Sequence, residues 1–227
     1  MGDKVTFPSN GNTAHGYLAL PESGSGPGLI VIQEWWGLVD HIIELTDRFA
    51  AAGFVAMAPD LYGGKTTHDA ATAQKYLAEL PVDQAARDLS GAVDYLLGRR
   101  EVTSAAVGAV GFCMGGTFVL LLAKEAGAKV SAAVPCYPVG AFDLGDLSGV
   151  TAKVAMHVGA DDAFGSADLV EQVSEKLRAA GTDVSVHVYP GQGHAFLNDE
   201  NLLGTYDKEA ADLLWKRMVE FLQSNVA

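Results

Sequence analysis

The segment Gly-Phe-Cys-Met-Gly-Gly, residues 111–116, contains the residue types of a nucleophilic site. A cysteine thiolate is a strong nucleophile. Here Gly111 lies two residues before Cys113, and Gly115 lies two residues after it. The G-x-C-x-G spacing matches the sharp strand-to-helix turn of the G-x-S-x-G motif, with sulfur in place of oxygen. A helix that begins at such a turn points free N–H groups at the thiol and favours the thiolate.

Six histidines are candidates for the base that a catalytic cysteine requires. His194 lies in the glycine-flanked segment 191–196, directly after an apolar segment that ends at Pro190. A loop of this kind can present an imidazole beyond the end of a strand. The other five histidines are predicted to have structural or surface roles. His15 lies in a hairpin, His41 near a helix start, His68 in a loop, and His157 and His187 inside strands.

The base in turn requires an acid that holds its ring in the correct tautomer. Asp161 and Asp162 follow the apolar segment 152–159 and precede His194. Nucleophile, acid and base would then follow one another in that order along the chain. The two aspartates are adjacent, and composition alone does not choose between them.

A further carboxylate, Glu34, ends the apolar segment 28–34. On its own it is typical of a solvated loop carboxylate, whereas beside a thiol it would accept the proton or repel the thiolate. The loop after this strand and the residue after the nucleophile conventionally supply the two N–H groups of an oxyanion hole. These would be the backbone groups of Trp35 and Met114, and the side chains of Trp35 and Trp36 are predicted to be core or pocket wall.

Strand-length apolar segments alternate with helix-length segments, which predicts a mostly parallel sheet with helices on both faces. Strands are predicted over 28–34, 54–61, 105–110, 130–137, 152–159 and 183–190, and helices over 41–52, within 69–98, and over 117–127, 166–180 and 205–223. Segments 4–9 and 13–20 flank a turn at Asn10-Gly11 and predict an antiparallel hairpin at one edge. The candidate site residues all fall just after strands, where ligands bind in such sheets.

The chain has 227 residues, of which 49% are hydrophobic, and no linker-like segment, which predicts one domain over residues 1–227. A formal net charge of −13 argues against nucleic acids and anionic membranes as partners. The two cysteines form no disulfide framework, and Cys136, in an apolar strand segment, is predicted to be structural. Without a signal peptide or a membrane-length apolar segment, we expect a cytoplasmic protein, and we expect a monomer.

Five segments together make the chain resemble the dienelactone hydrolase family of α/β-hydrolases over nearly its whole length. They are QEWWG at 33–37, GFVAMAPDLYGG at 53–64, GFCMGG at 111–116, HVGADD at 157–162 and GQGHAF at 191–196. The resemblance implies an α/β-hydrolase domain without a large cap. It also implies hydrolysis of carboxylic esters or lactones, as in carboxymethylenebutenolidases.

The resemblance implies catalytic roles for four residues. Cys113 matches the nucleophile and His194 the base. Asp162 matches the acid, because the family pattern places it three residues after the glycine that is Gly159 here. Glu34 matches a glutamate that interacts with the resting thiol in the family and moves aside when substrate binds.

The residues expected to contact substrate depart from the family pattern. Members that cleave dienelactone hold its carboxylate with arginines, one of them four residues after the histidine, where this chain has Asn198. Lys65 is the only cation near the segment 53–64. Together with Trp36, Tyr62 and Phe196, Lys65 and Asn198 are the candidates for substrate contact.

These features predict a cofactor-free hydrolase of small carboxylic esters, lactones or thioesters that works through an acyl-enzyme on Cys113. No metal-ligand spacing such as H-E-x-x-H occurs. The alternative is a noncatalytic protein of the same fold that binds a small ligand or senses oxidants through Cys113. Turnover of an activated ester separates the two functions, because a sensing protein would be acylated at most once.

Overall fold

The structure, a computed structural model, describes residues 2–9, 11–140 and 144–226. The strands are Asp3–Ser9 (β1), Asn12–Ala19 (β2), Gly28–Ile32 (β3), Val55–Pro59 (β4), Val107–Phe112 (β5), Val130–Cys136 (β6), Lys153–Gly159 (β7) and Val184–Tyr189 (β8). The helices are Asp40–Ala51 (α1), Ala70–Glu79 (α2), Val82–Leu97 (α3), Met114–Ala126 (α4), Ala167–Ala179 (α5) and Lys208–Asn225 (α6). No helix within the described residues is long and apolar enough to cross a membrane.

The strands form one sheet in the order β1-β2-β4-β3-β5-β6-β7-β8. Strands β3 to β8 run parallel to one another, while β2 pairs antiparallel with both β1 and β4. The predicted mostly parallel sheet and N-terminal antiparallel hairpin are thereby confirmed. Asn10 of the predicted turn lies outside the described residues, and the flanking strands pair from Asp3 opposite Leu18 to Ser9 opposite Asn12.

Helices cover both faces of the sheet. A Cβ atom added at Gly108 of β5 would lie 2.9 Å from Leu222 of α6, whereas one at Gly111 would lie 2.9 Å from Val119 of α4. Side chains three residues apart in a strand point to opposite faces, so α4 and α6 lie on opposite sides. Burial on both faces explains why every residue of β3, β4 and β5 is buried and why these strands are apolar throughout.

Two boundaries differ from the predicted ones where they matter for the site. Strand β5 continues to Phe112 and α4 begins at Met114, so only Cys113 separates them. The predicted boundaries at 110 and 117 were wrong because the apolar segments were ended at the glycines around Cys113, as if these glycines interrupted the strand and the helix. They instead allow strand and helix to approach closely.

Strand β3 lies between β4 and β5 in the sheet. The next strand along the chain, β4, is added on one flank of β3, and the one after it, β5, is added on the opposite flank. Connections diverge at such a switch point and leave a crevice outside the carboxyl ends of the strands. Glu34 follows β3 and Cys113 follows β5, so both stand at this crevice.

Candidate active site

Cys113 forms a one-residue turn between β5 and α4. Its φ of 56° and ψ of −119° place it in a region that residues with a side chain rarely adopt. A Cβ atom at Gly111 would lie 2.2 Å from the carbonyl oxygen of Gly115, and one at Gly115 would lie 2.4 Å from that of Ile32. Both glycines are therefore required by close backbone contact, as their spacing predicted.

The two backbone N–H groups predicted for the oxyanion hole have no protein acceptor within the described segments. They belong to Met114, the first residue of α4, and to Trp35 in the loop after β3. The N–H of Cys113 itself donates to the carbonyl oxygen of Cys136 at 3.1 Å, which holds the turn against β6. The two predicted oxyanion-hole donors are thus unoccupied.

His194 and Asp162 form a buried pair. Nδ1 of His194 lies 2.8 Å from Oδ2 of Asp162, and the side chain of Asp162 is fully buried. The other carboxylate oxygen, Oδ1, accepts hydrogen bonds from the N–H groups of Phe164 and Gly165 at 2.8 and 2.9 Å. Asp161 is exposed. The structure therefore places Asp162, and not its neighbour, against the imidazole.

The charge of His194 is linked to Cys113 and Asp162. Burial alone would lower the pKa of His194, but the negative charge of a Cys113 thiolate and the hydrogen bond to Asp162 outweigh it and raise the pKa to about 10. Nε2 of His194 is buried and has no nitrogen or oxygen partner in the described part of the chain. Because Asp162 engages Nδ1 and the Cys113 charge acts on the imidazole, Nε2 is the nitrogen that is left to exchange a proton with the thiol.

Glu34 is fully buried, which excludes the alternative of a solvated loop carboxylate. Its Oε2 accepts a hydrogen bond from Nδ2 of Asn198 at 2.6 Å, and its Oε1 accepts one from the hydroxyl of Tyr137 at 3.3 Å. The carboxylate is therefore bonded to Asn198 and Tyr137 and not to the Cys113 thiol, the partner that the family resemblance implied for the resting state.

Tyr137 is a site residue that the motifs did not reveal. It follows β6 directly, has a φ of 38°, and its ring meets the imidazole of His194 edge-on at 5.3 Å between centroids. Burial and the nearby Glu34 charge raise the pKa of Tyr137 well above its usual range, so the hydroxyl keeps its proton and donates a hydrogen bond to Glu34. Its position directly after a predicted strand could have identified Tyr137 as a candidate site residue from the sequence.

Phe164 was missed as well. Its side chain is 54% exposed although it is large and apolar. The ring lies 5.0 Å from the His194 ring and 6.4 Å from Trp35, measured between centroids. Its position two residues after Asp162 could have identified it. Phe164 and Trp35 together give the imidazole side of the site an apolar border.

The candidates for substrate contact take different places. The Tyr62 hydroxyl lies 3.4 Å from Sδ of Met114, and burial together with the Cys113 charge raises the pKa of Tyr62, so this hydroxyl stays neutral beside the nucleophile. Lys65 is exposed and lies 5.6 Å above the Tyr76 ring, at a cavity of about 120 Å³ that Tyr62 also lines. Trp36 is buried against Trp35.

Two of these candidates are corrected by the structure. Phe196 has no exposed surface and packs between Tyr137 and Tyr189, so it supports the site from behind instead of lining it. Asn198 is buried, and its amide is engaged by Glu34. It is therefore a partner of a protein carboxylate and is not free to bind a substrate carboxylate in the way a family arginine would.

The Cys136 thiol and the strand histidines have partners other than the residues of this site. Cys136 is fully buried with Sδ of Met218 at 3.3 Å from its sulfur, and burial raises its pKa well above the usual value. His157 is buried and stacks on His187 at 4.8 Å between ring centroids. No group of three or more histidine, cysteine or acidic side chains in the described residues could hold a metal ion.

A search for known families matches residues 14–226 to a model described as the dienelactone hydrolase family. "Protein usf" of Aquifex pyrophilus is 36% identical over 98% of this chain and 98% of its own length. A protein named "Putative carboxymethylenebutenolidase" in Aquifex aeolicus is 31% identical over 99% of both chains.

A solved structure agrees with the fold. The crystal structure of a dienelactone hydrolase-like promiscuous phosphotriesterase from metagenomic libraries is similar with a TM-score of 0.86 at 28% identity, covering 100% of this chain and 99% of that one. The sheet order, the helices on both faces and this similarity confirm the α/β-hydrolase fold.

Proposed function

Because the chain belongs to the dienelactone hydrolase family, we propose that it hydrolyses carboxylic esters and lactones through an acyl-enzyme on Cys113. Two observations support the proposal most: the elbow at Cys113, and the buried Asp162–His194 pair, whose imidazole interacts with the Cys113 charge. A nucleophile, a base and an acid that orients the base are the parts that acyl transfer requires.

In the first step the Cys113 thiolate attacks the carbonyl carbon of the substrate. The electron pair of the carbonyl π bond moves to oxygen, and the N–H groups of Trp35 and Met114 stabilise the resulting oxyanion. When the oxyanion collapses, the C–O bond to the leaving group breaks. His194, protonated in its pair with Cys113, gives its Nε2 proton to the leaving alkoxide. A lactone would open at this step without losing its alcohol part.

In the second step His194, now neutral, removes a proton from water. The hydroxide attacks the Cys113 thioester, and the same two N–H groups hold the second oxyanion. Breakage of the C–S bond releases the carboxylic acid and restores the thiolate beside the protonated imidazole. Asp162 orients the imidazole in both steps, since one of its oxygens accepts from His194 and the other is fixed by hydrogen bonds from the N–H groups of Phe164 and Gly165.

We propose neutral esters and lactones as the preferred substrates. Asn198, the residue at the position of the family arginine, carries no charge and is bonded to Glu34. The exposed Lys65 supplies a point charge but no bidentate fork for a carboxylate. The aromatic border formed by Trp35 and Phe164 instead offers apolar contact beside His194.

Multiple-turnover hydrolysis of p-nitrophenyl acetate tests this function. We expect the wild-type protein to release many equivalents of p-nitrophenol, and Cys113→Ala to lose at least about 10³-fold in kcat/KM because the covalent step is removed. Cys136→Ala is the matched control and should keep most of the activity, since this thiol is buried against Met218. A single equivalent of product from the wild type, without further turnover, would instead support the binding or redox-sensing alternative.

A further inference from the structure

Phe164 is a large apolar side chain that the fold leaves uncovered beside His194. It is 54% exposed, although its ring lies only 5.0 Å from the imidazole between centroids. An exposed aromatic ring forgoes the free energy that its burial would supply, and it recovers that free energy when a ligand covers it. The ring is therefore a contact surface available to a substrate of the candidate active site.

The backbone around Phe164 is held in place on both sides. Its N–H group donates to Oδ1 of Asp162 at 2.8 Å, and the N–H group of Gly165 donates to the same oxygen at 2.9 Å. A Cβ atom at Gly165 would collide with the carbonyl oxygen of Pro138, so this segment packs tightly against the segment that follows β6. The Phe164 ring is thus presented from a fixed turn, and the carboxylate that orients His194 also fixes that turn.

Two aromatic rings contact the imidazole of His194, and they differ in exposure. The Tyr137 ring meets the imidazole edge-on at 5.3 Å between centroids and has no exposed surface. The Phe164 ring is tilted by 50° to the imidazole and faces solvent. Of these two rings, only that of Phe164 can therefore contact a substrate that approaches His194.

Trp35 extends this surface toward the oxyanion hole. Its side chain is half-buried, and its ring lies 6.4 Å from that of Phe164 between centroids. The N–H group of the same residue is one of the two proposed oxyanion donors. The apolar surface thus runs from a donor for the carbonyl oxygen to the group that protonates the leaving oxygen.

The proposed reaction determines which part of an ester meets this surface. The acid part becomes bonded to the sulfur of Cys113, whereas the alcohol oxygen must come within hydrogen-bond reach, about 2.6–3.2 Å, of Nε2 of His194. The carbon attached to that oxygen then lies beside the imidazole. An aromatic group on this carbon reaches the distance at which rings pack, about 4.5–7 Å between centroids.

We propose that Phe164, together with Trp35, binds the alcohol part of the substrate, so that the protein prefers esters with an aromatic or other planar apolar group next to the ester oxygen. This assignment rests on the proposed function, because it depends on the group that His194 protonates. Phe164 is then a specificity-determining residue that takes no part in proton transfer.

Two isomeric esters test the proposal. Benzyl acetate carries its ring on the alcohol side, and methyl phenylacetate carries the same ring on the acid side. In Phe164→Ala we expect kcat/KM for benzyl acetate to fall at least about fivefold, since an aromatic contact and its buried area are lost. That for methyl phenylacetate should fall less than about twofold. Each ester is compared with itself in wild type and variant, so differences in intrinsic reactivity cancel.

Phe164→Tyr and Leu213→Ala are the controls. Phe164→Tyr keeps the ring and should retain most of the activity toward benzyl acetate. Leu213, on α6, is another apolar side chain with much exposed surface, and its loss should leave both esters unaffected. A larger fall for methyl phenylacetate in Phe164→Ala would place the acid part on Phe164, and equal falls would mean that Phe164 only supports the Asp162–His194 pair. Either result overturns the proposal.

Hydrolysis of the acetyl-enzyme separates a specificity role from a structural one. Benzyl acetate and p-nitrophenyl acetate leave the same acetyl group on Cys113, and no alcohol part is then present for Phe164 to contact. The rate of this step, followed after the burst of p-nitrophenol, should change by less than about threefold in Phe164→Ala. A variant with a displaced His194 would also be slow here, because His194 activates the attacking water.

Protection of Cys113 from iodoacetamide by benzyl alcohol distinguishes failure of this proposal from failure of the proposed function. The alcohol should protect the wild-type thiol at a concentration at least about fivefold lower than in Phe164→Ala. Absence of turnover of every ester by the wild type would refute hydrolysis, and the protection assay would then decide whether Phe164 forms an apolar binding surface at the thiol. Equal protection of the two proteins overturns the proposal.

Discussion

Asp162 and Asp161 are neighbours in the sequence and differ in every contact that concerns His194. The carboxylate of Asp162 is buried and receives three hydrogen bonds, one from the imidazole and two from backbone N–H groups. Asp161 is exposed. Only the buried carboxylate can hold the imidazole in a fixed tautomer and stabilise its protonated form during the reaction.

Asp162→Asn should therefore lower kcat/KM for an activated ester by about 10² or more, because an amide stabilises the imidazolium poorly and can select the wrong tautomer. Asp161→Asn removes the same formal charge from an exposed position and should change kcat/KM by less than about threefold. Steady-state kinetics of the two variants gives the comparison. A larger loss in Asp161→Asn than in Asp162→Asn would mean that Asp161, and not Asp162, is the acid.

At the scale of elements, the site depends on how closely three of them meet. Strand β3, strand β5 and helix α4 approach so near to Cys113 that Gly111 and Gly115 have no room for a methyl group. The same approach places the N-terminus of α4 beside the thiol and leaves the Met114 N–H free. Stability and catalysis are therefore coupled at this turn, since a change in the distance between the elements affects both.

Gly115→Ala tests this coupling. Its methyl group would lie 2.4 and 2.5 Å from the carbonyl oxygens of Ile32 and Gln33, and backbone cannot move aside cheaply. We expect a loss of about 1–3 kcal/mol in the free energy of unfolding and a loss of at least about tenfold in kcat/KM as Met114 is displaced. Denaturant titration and ester kinetics measure the two effects.

Gly98→Ala is the control for that variant. Gly98 lies at the end of α3, and a methyl group there would come no closer than 3.3 Å to Asp94. Both quantities should remain near the wild-type values. Unchanged activity in Gly115→Ala would show that the elbow tolerates a wider separation of β3 and α4 than its geometry implies.

For the whole molecule, two histidines of the sheet, one buried and one half-buried, link stability to pH. His157 of β7 stacks on His187 of β8, and its Nδ1 lies 2.9 Å from the Tyr189 hydroxyl. Burial, together with the charges of His187 and Arg217, lowers the pKa of His157 well below its usual value, and burial lowers that of His187. Both imidazoles are therefore neutral in the folded protein at pH values where they would be protonated in the unfolded chain.

The sign of the effect follows from proton uptake on unfolding. Above a pH of about 6.5 the imidazoles are neutral in both states, and below it the unfolded state binds protons that the folded state does not. The free energy of unfolding should then fall as pH falls, by up to about 1.4 kcal/mol per pH unit for His157 alone.

Denaturant titrations between about pH 5 and 7.5, the range in which an ordinary histidine titrates, measure this slope. His157→Gln should be less stable than the wild type at neutral pH but should show a smaller loss on acidification. The exposed His15 serves as control, and His15→Gln should keep the wild-type slope. An unaltered slope in His157→Gln would mean that other groups determine the acid sensitivity.

Local patterns in the sequence were sufficient to predict several parts of this protein. The order of strands and helices, the Cys113 elbow and the loop position of His194 follow from apolar segment lengths and glycine spacing, which act over a few residues. The steric demand at Gly111 is likewise local, since its Cβ would meet the Gly115 carbonyl oxygen. The demand at Gly115 comes from Ile32 and Gln33 of a distant segment, which the spacing indicated but did not explain. The motifs of the family then selected Asp162, and the structure places that residue against His194.

Contacts between distant segments could not be obtained in this way. The partners of Glu34 are Tyr137 and Asn198, which lie 103 and 164 residues away along the chain. Whether Glu34 is solvated, bonded to the thiol or held by an amide depends on how the loops after β3, β6 and β8 meet beyond the carboxyl ends of these strands. Local patterns determine which residues end a strand, whereas the tertiary packing of the strands determines which ends face each other and therefore which buried polar groups must satisfy one another.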